Sequence, residues 1–94
     1  AIPLLERLHA LDEANANVQF KLGLCYLKTR TMQDKAEIKL ENSSKKVSEK
    51  YDPEDHREKN APVESYFYLG QAYRINHKFD NYVDAFNKYL NSKQ

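Results

Sequence analysis

Apolar residues recur along the chain at spacings of three and four, in five blocks separated by short polar runs. The first, residues 1–11, sets Ile2, Leu4, Leu5, Leu8 and Leu11 on one helical stripe, with Pro3 tolerated in the first turn. "DEANAN" ends it, and Asn15 stands where it can cap the next helix. In the second block Val18, Leu22, Cys25 and Tyr26 line one side, while Phe20, Leu24 and Leu27 line another. A helix apolar on two sides is expected to lie between other helices. "KTRTMQD" breaks the pattern, and Thr31 followed three residues later by Asp34 has the spacing of a capping box. The third helix carries Met32, Ala36, Leu40 and Val47, with the weak helix formers of "NSSKK" in its last turns. "YDPEDHREKNAP" is an interruption, in which Asp52, Pro53, Glu54 and Asp55 predict a short helical turn. Asn60 is placed to cap a fourth helix over 61–75, with Pro62 in its first turn. After the tight connection "INHK", a fifth helix over about 78–91 carries Phe79, Tyr82, Val83, Phe86, Tyr89 and Leu90. The prediction is an all-α domain, 1–94, of antiparallel helical hairpins.

Composition narrows the functional classes. With 94 residues there is room for one small domain with a modest core. Fifteen basic against 14 acidic residues leave a net charge of +1, too little for a field that would gather nucleic acid or an anionic membrane. Two glycines and three prolines are too few for the turns of an all-β fold. The lone Cys25 excludes an internal disulfide. No apolar run approaches 18 residues, and no secretory signal pattern is present. The chain opens in full helical periodicity and stops without a clear cap, so it is expected to be a piece of a longer protein.

The two glycines carry the most information. "NVQFKLGLCYLKT" and "ESYFYLGQAYRIN" each set a glycine mid-helix, preceded by leucine and followed three residues later by tyrosine. A mid-helix glycine costs about 1 kcal/mol relative to alanine, so two at matching offsets need a packing reason. The pattern resembles the tetratricopeptide repeat (TPR), a helix–turn–helix unit of 34 residues with a W-x2-L-G-x2-Y block followed by A-x3-F. Tyr66, Leu69, Gly70 and Tyr73 fill the first block of the later copy, and Phe79, Ala85, Phe86 and Leu90 continue it. In the earlier copy Leu22, Gly23 and Tyr26 match, Gln19 replaces the tryptophan, and Ala36 and Leu40 take the A-x3-F places. Ala1 and Leu5 fit the second half of a truncated first copy. The glycines lie 47 residues apart, and the excess over one period is one residue before Ala36 plus the segment 51–62. The organisation expected from the resemblance is a truncated repeat at 1–14, a repeat at 15–50, an insertion at 51–62 and a repeat at 63–94. It implies a right-handed superhelix of hairpins in which each glycine lies where the first helix meets its partner too closely for a side chain.

More narrowly, "KNAPVESYFYLGQAYRINHKFDNYVDAFNKYLNS" with its charged insertion is similar to the N-terminal TPR module of Bacteroidetes outer-membrane proteins of the OmpA type. In that family the module precedes propeller-like repeats and a peptidoglycan-binding domain, and some members serve type IX secretion. The resemblance implies an exported, periplasmic parent associated with the outer membrane.

Chemistry offers little competition. His9, His56 and His77 fall on separate elements without metal-ligand spacing and are expected at the surface. Cys25 is expected as a small buried packing residue, with no activating base or cationic helix start beside it. Asp52, Glu54 and Asp55 lack the central glycine and distal glutamate of a calcium loop. Lys45, Lys46 and Lys50 form a basic cluster, but acidic residues follow at once and the aromatics occupy core positions of the repeat. No constellation for catalysis is found and no cofactor is implied.

By the family pattern the first helices line a concave groove. That groove would present Asn17, Phe20, Leu24, Leu27 and Lys28, then Glu64, Phe67, Gln71, Arg74 and Ile75. TPR grooves take extended peptides or a partner's helix, and the mostly apolar lining here argues against the subset that grips terminal carboxylates. The expectation is a protein-interaction module without enzymatic activity, binding a protein, a peptide or another domain of its own parent. A structural spacer docked on the parent's own domains is the alternative. Segment 51–62 is expected to be mainly a solvated loop.

Overall fold

A computed structural model describes residues 2–48, 50–52, 54 and 58–92. Five helices follow one another: α1 (Ile2–Leu11), α2 (Ala16–Lys28), α3 (Gln33–Ser43), α4 (Glu64–Ile75) and α5 (Phe79–Ser92). Two 3-10 turns, Arg30–Met32 and Ser44–Lys46, precede and follow α3. Among the described residues there is no β-strand, only an isolated parallel bridge between Val47 and Ala61.

Asn15 caps α2 as its sequence position predicts: its Oδ1 accepts from the Asn17 and Val18 amides at 3.0 and 3.3 Å. α2 packs against α1, α3 and α4, which explains its two apolar sides. Leu22 and Tyr26 are buried in it, while Cys25 is half-buried instead of enclosed. The antiparallel α2–α3 hairpin closes at Gly23. A Cβ built there would lie 2.8 Å from Leu40 Cγ, and Leu40 is fully buried with no room to retreat. The α4–α5 hairpin closes the same way at Gly70, more loosely, since the nearest atom to a Cβ would be Tyr82 Cδ1 at 3.3 Å.

Each helix packs mainly on its neighbours in sequence. Buried Ser43, near the end of α3, and buried Ser65, near the start of α4, are joined Oγ to Oγ at 2.7 Å. At the other end, Glu37 on α3 accepts from Asn76 Nδ2 at 3.0 Å and Lys78 Nζ at 2.7 Å, just past α4. These contacts make α3 and α4 antiparallel, so α2 and α4 run in the same direction. α1 is held on the far side by the Tyr26 hydroxyl, which donates to Glu6 Oε2 at 2.5 Å. Burial first, then the Glu6 carboxylate, pushes that phenol up to about 12.

Three helix boundaries differ from the sequence pattern. Thr31 does not cap α3; it lies exposed in the first 3-10 turn, and Gln33 donates to the Leu27 carbonyl at 3.0 Å instead. Val47 is not on α3 but extended, because the Ser48 amide and the Lys46 carbonyl pair with Ala61 at 2.9 Å each. That pairing also displaces Asn60 as a cap: Ala61 is committed to extended backbone, as suits a residue before proline, and α4 starts only after Pro62. The helical turn expected around Pro53 lies largely outside the described residues; within them, Asp52 Oδ1 accepts from the Glu54 amide at 3.0 Å.

α4 ends in a Schellman motif. The Lys78 amide reaches the Tyr73 carbonyl at 2.8 Å and the His77 amide reaches that of Arg74 at 3.1 Å. His77 holds the left-handed position with φ 62°, where glycine is usual. The end helices are incompletely covered. Of the α1 stripe, Ile2 and Leu5 pack on the core, whereas Leu4, Leu8 and Leu11 are exposed, Leu11 at 79%. On α5, Ala85 is buried, and Phe79, Val83 and Leu90 are exposed.

Candidate functional site

The parallel course of α2 and α4 sets eight of the ten expected groove residues in two rows, with Phe20 and Leu27 off the α2 row. Helical periodicity puts Asn17, Lys21, Leu24 and Lys28 along α2, and Glu64, Phe67, Gln71, Arg74 and Ile75 along α4. Both helices end at the same edge, so Lys28, Arg74 and Ile75 share it. Ile75 is exposed at 37%; Leu24 and Leu27 are half-buried and rest against the core.

Two expected groove residues are not available to a partner. Asn17 is buried, its Oδ1 accepting from the Tyr51 hydroxyl at 2.6 Å and its Nδ2 donating to the Glu58 carbonyl at 3.3 Å. The segment expected to be a solvated loop therefore sits, in its described part, on the start of α2, where the Lys59 carbonyl also takes the Ala16 amide at 2.9 Å. Burial, with the Glu58 and Asp52 charges behind it, raises the Tyr51 phenol above its ordinary value. Phe20 belongs to the core: it is buried and tilts against Tyr68 at 6.0 Å between centroids. Phe67 is half-buried, edge-on to Tyr68 at 5.4 Å and tilted against Tyr89 of α5 at 5.5 Å.

Two members of this face do not stand out in the sequence. Tyr68 bridges Phe20 and Phe67, although the repeat pattern marks only Tyr66 and Tyr73 beside it. Lys21 lies between Asn17 and Lys28 on the same row, a position legible from its i+4 spacing to Asn17 alone. The side chains of Lys21, Lys28 and Arg74 are exposed and have no hydrogen-bond or ion-pair partner among the described residues.

Away from this face, a pocket of about 270 Å³ opens between α3, α4 and α5. Glu41, Tyr73, Asp84 and Lys88 are in its wall, and the Lys88–Asp84 pair spans 3.5 Å. Burial, followed by the Glu41 and Glu37 charges, pushes the Tyr73 hydroxyl up to about 12. A shallower cavity of about 410 Å³ has Ile2, Pro3, Cys25, Lys28 and Thr29 in its wall. His9 is not a surface histidine: half-buried, it sets Nε2 3.0 Å from Lys39 Nζ, and its buried Nδ1 meets no partner among the described residues. His77 is exposed, and His56 lies outside the described residues. Among the described residues no three His, Cys, Asp or Glu side chains come together as metal ligands, and no helix is long and apolar enough to cross a membrane.

In comparisons with known proteins, the chain matches no family model, no curated protein and no solved structure.

Proposed function

We propose that this chain is a tetratricopeptide-type interaction module whose α2–α4 groove holds a segment of a partner protein. In this reading α2–α3 and α4–α5 are two repeats of a right-handed superhelix, with α1 the second helix of a preceding one. The observation that carries it is a glycine at the closest approach of each hairpin: Gly23 faces Leu40 of α3, and Gly70 faces Tyr82 of α5, one turn nearer the start of its partner helix. The first helices of such a stack line one open face, the usual docking surface of a solenoid. The resemblance to OmpA-type modules adds a setting: an exported parent in the periplasm, at the outer membrane, with this module non-catalytic.

Panning the chain against a displayed random peptide library tests the reading. Enriched peptides are expected to lose at least tenfold in affinity on Ile75→Asp, with helicity unchanged, and to be indifferent to Val83→Asp on α5. No enrichment, or binding that ignores Ile75, would sink it. A second reading, a spacer docked on the parent's own domains, is favoured by the exposed Leu4, Leu8 and Leu11 of α1 and Phe79, Val83 and Leu90 of α5.

A further inference from the structure

We infer that the segment this face takes is apolar and acidic, engaging through side-chain carboxylates along its length and not through a free C-terminus. The inference rests on the groove reading above and adds the chemistry of the occupant. Lys21 and Lys28 on α2 and Arg74 on α4 flank a strip in which Leu24 and Leu27 are half-buried and Ile75 is exposed at 37%. All three cations are exposed, and none is neutralised by a neighbour among the described residues. Three other cations do have an acidic partner: Lys78 with Glu37, Lys88 with Asp84, Lys59 with Asp12. Three cations against one carboxylate in the two rows give this face a local positive excess. The acidic member of the rows, Glu64, sits at the opposite end of α4 from Arg74 and is not free. A partner that laid leucine-like anchors in the strip and carboxylates at its borders would satisfy both features, and like charge would exclude basic segments.

Two alternatives fit the geometry less well. A grip on a terminal carboxylate needs polar donors converging at one point, and the amide best placed to join one, that of Asn17, is already bound to Tyr51 and Glu58. An anionic membrane needs apolar side chains that protrude, whereas Leu24 and Leu27 are recessed into the core and only Ile75 stands out.

The panned library decides the matter. Enriched sequences should carry an excess of Asp and Glu beside apolar residues. Synthetic versions should bind equally with free or amidated C-termini and weaken as salt rises. The double variant Lys28→Glu/Arg74→Glu, which alters only exposed side chains, should bind them at least tenfold more weakly and gain affinity for lysine-substituted versions. Enrichment without acidic bias, yet sensitive to Ile75→Asp, would overturn this inference and leave the groove reading standing. Loss of binding on amidation would overturn it, as would Lys28- and Arg74-dependent binding to phosphatidylglycerol vesicles with no peptide enriched. No binding to any probe would remove both.

Discussion

Gly23 and Gly70 both lie mid-helix against the next helix, yet they face different turns of it and make unequal demands on the chain. At Gly23 an added methyl meets the branch point of a fully buried leucine, 2.8 Å away, and relief would require α2 and α3 to part. Overpacking of this kind costs about 1–3 kcal/mol, while alanine returns about 1 kcal/mol of helix propensity. Gly23→Ala is therefore expected to destabilise by about 1 kcal/mol net, with urea denaturation as the measure. At Gly70 the obstacle is the ring of half-buried Tyr82, which can give by a few tenths of an ångström. Gly70→Ala should be neutral or stabilising by up to about 1 kcal/mol. Equal large losses at both positions, or none at Gly23, would contradict this account. The glycines were legible because a helix rarely tolerates the residue without cause. The difference between them was not, because it depends on what lies opposite, a fully buried leucine in one case and a half-buried tyrosine ring in the other.

Between elements, one buried carboxylate does much of the joining. Glu37 ties α3 to the turn after α4 through Lys78 and Asn76. Burial alone would raise its pKa, but the two hydrogen bonds and the Lys78 charge outweigh it, leaving it below the ordinary 4.5. A carboxylate with a depressed folded value stabilises fully above its unfolded value, and that contribution fades as pH falls through the folded one. Glu37→Gln should therefore cost about 1–2 kcal/mol at neutral pH, and the gap to wild type should shrink as pH drops below about 4.5. A gap that held constant with pH, followed by circular dichroism in urea, would show that Glu37 acts through shape and not charge. All five helices could be read from periodicity, and Asn15 from its capping chemistry. The starts of α3 and α4 could not. Thr31 and Asn60 carry good local signals, but Gln33 and the pairing of Ala61 with residues 46–48 satisfy the backbone by longer-range bonds. His77 escaped notice for the opposite reason: a Schellman turn normally announces itself with glycine.

For the molecule as a whole, sequential packing yields a slab of 33 × 33 × 17 Å with α1 and α5 at opposite ends. Both end helices turn apolar residues outward, Phe79 at 56% and Val83 at 54% exposure among them. Contiguous apolar surface of this kind promotes association. The isolated chain should show concentration-dependent sedimentation, and Leu8→Glu combined with Val83→Glu should abolish it without loss of helicity. Self-association that survives the pair of substitutions would point to another surface. Of the proposed groove, the rows that carry Lys28, Arg74 and Ile75 follow from helical spacing alone. The burial of Asn17 and Phe20 does not follow from that spacing, because Tyr51 and Tyr68, distant in sequence or unmarked by the repeat, pack on them.

The bridge between Val47 and Ala61 has an implication for how such a protein tolerates change. Two backbone hydrogen bonds clamp both ends of the intervening stretch, and Tyr51, Glu58 and Lys59 tie its flanks to the start of α2. Doubling the length of a closed loop adds only about 0.6 kcal/mol of entropy cost, so residues inserted between positions 52 and 58, clear of those ties, should be tolerated, and an experimenter could splice a reporter there.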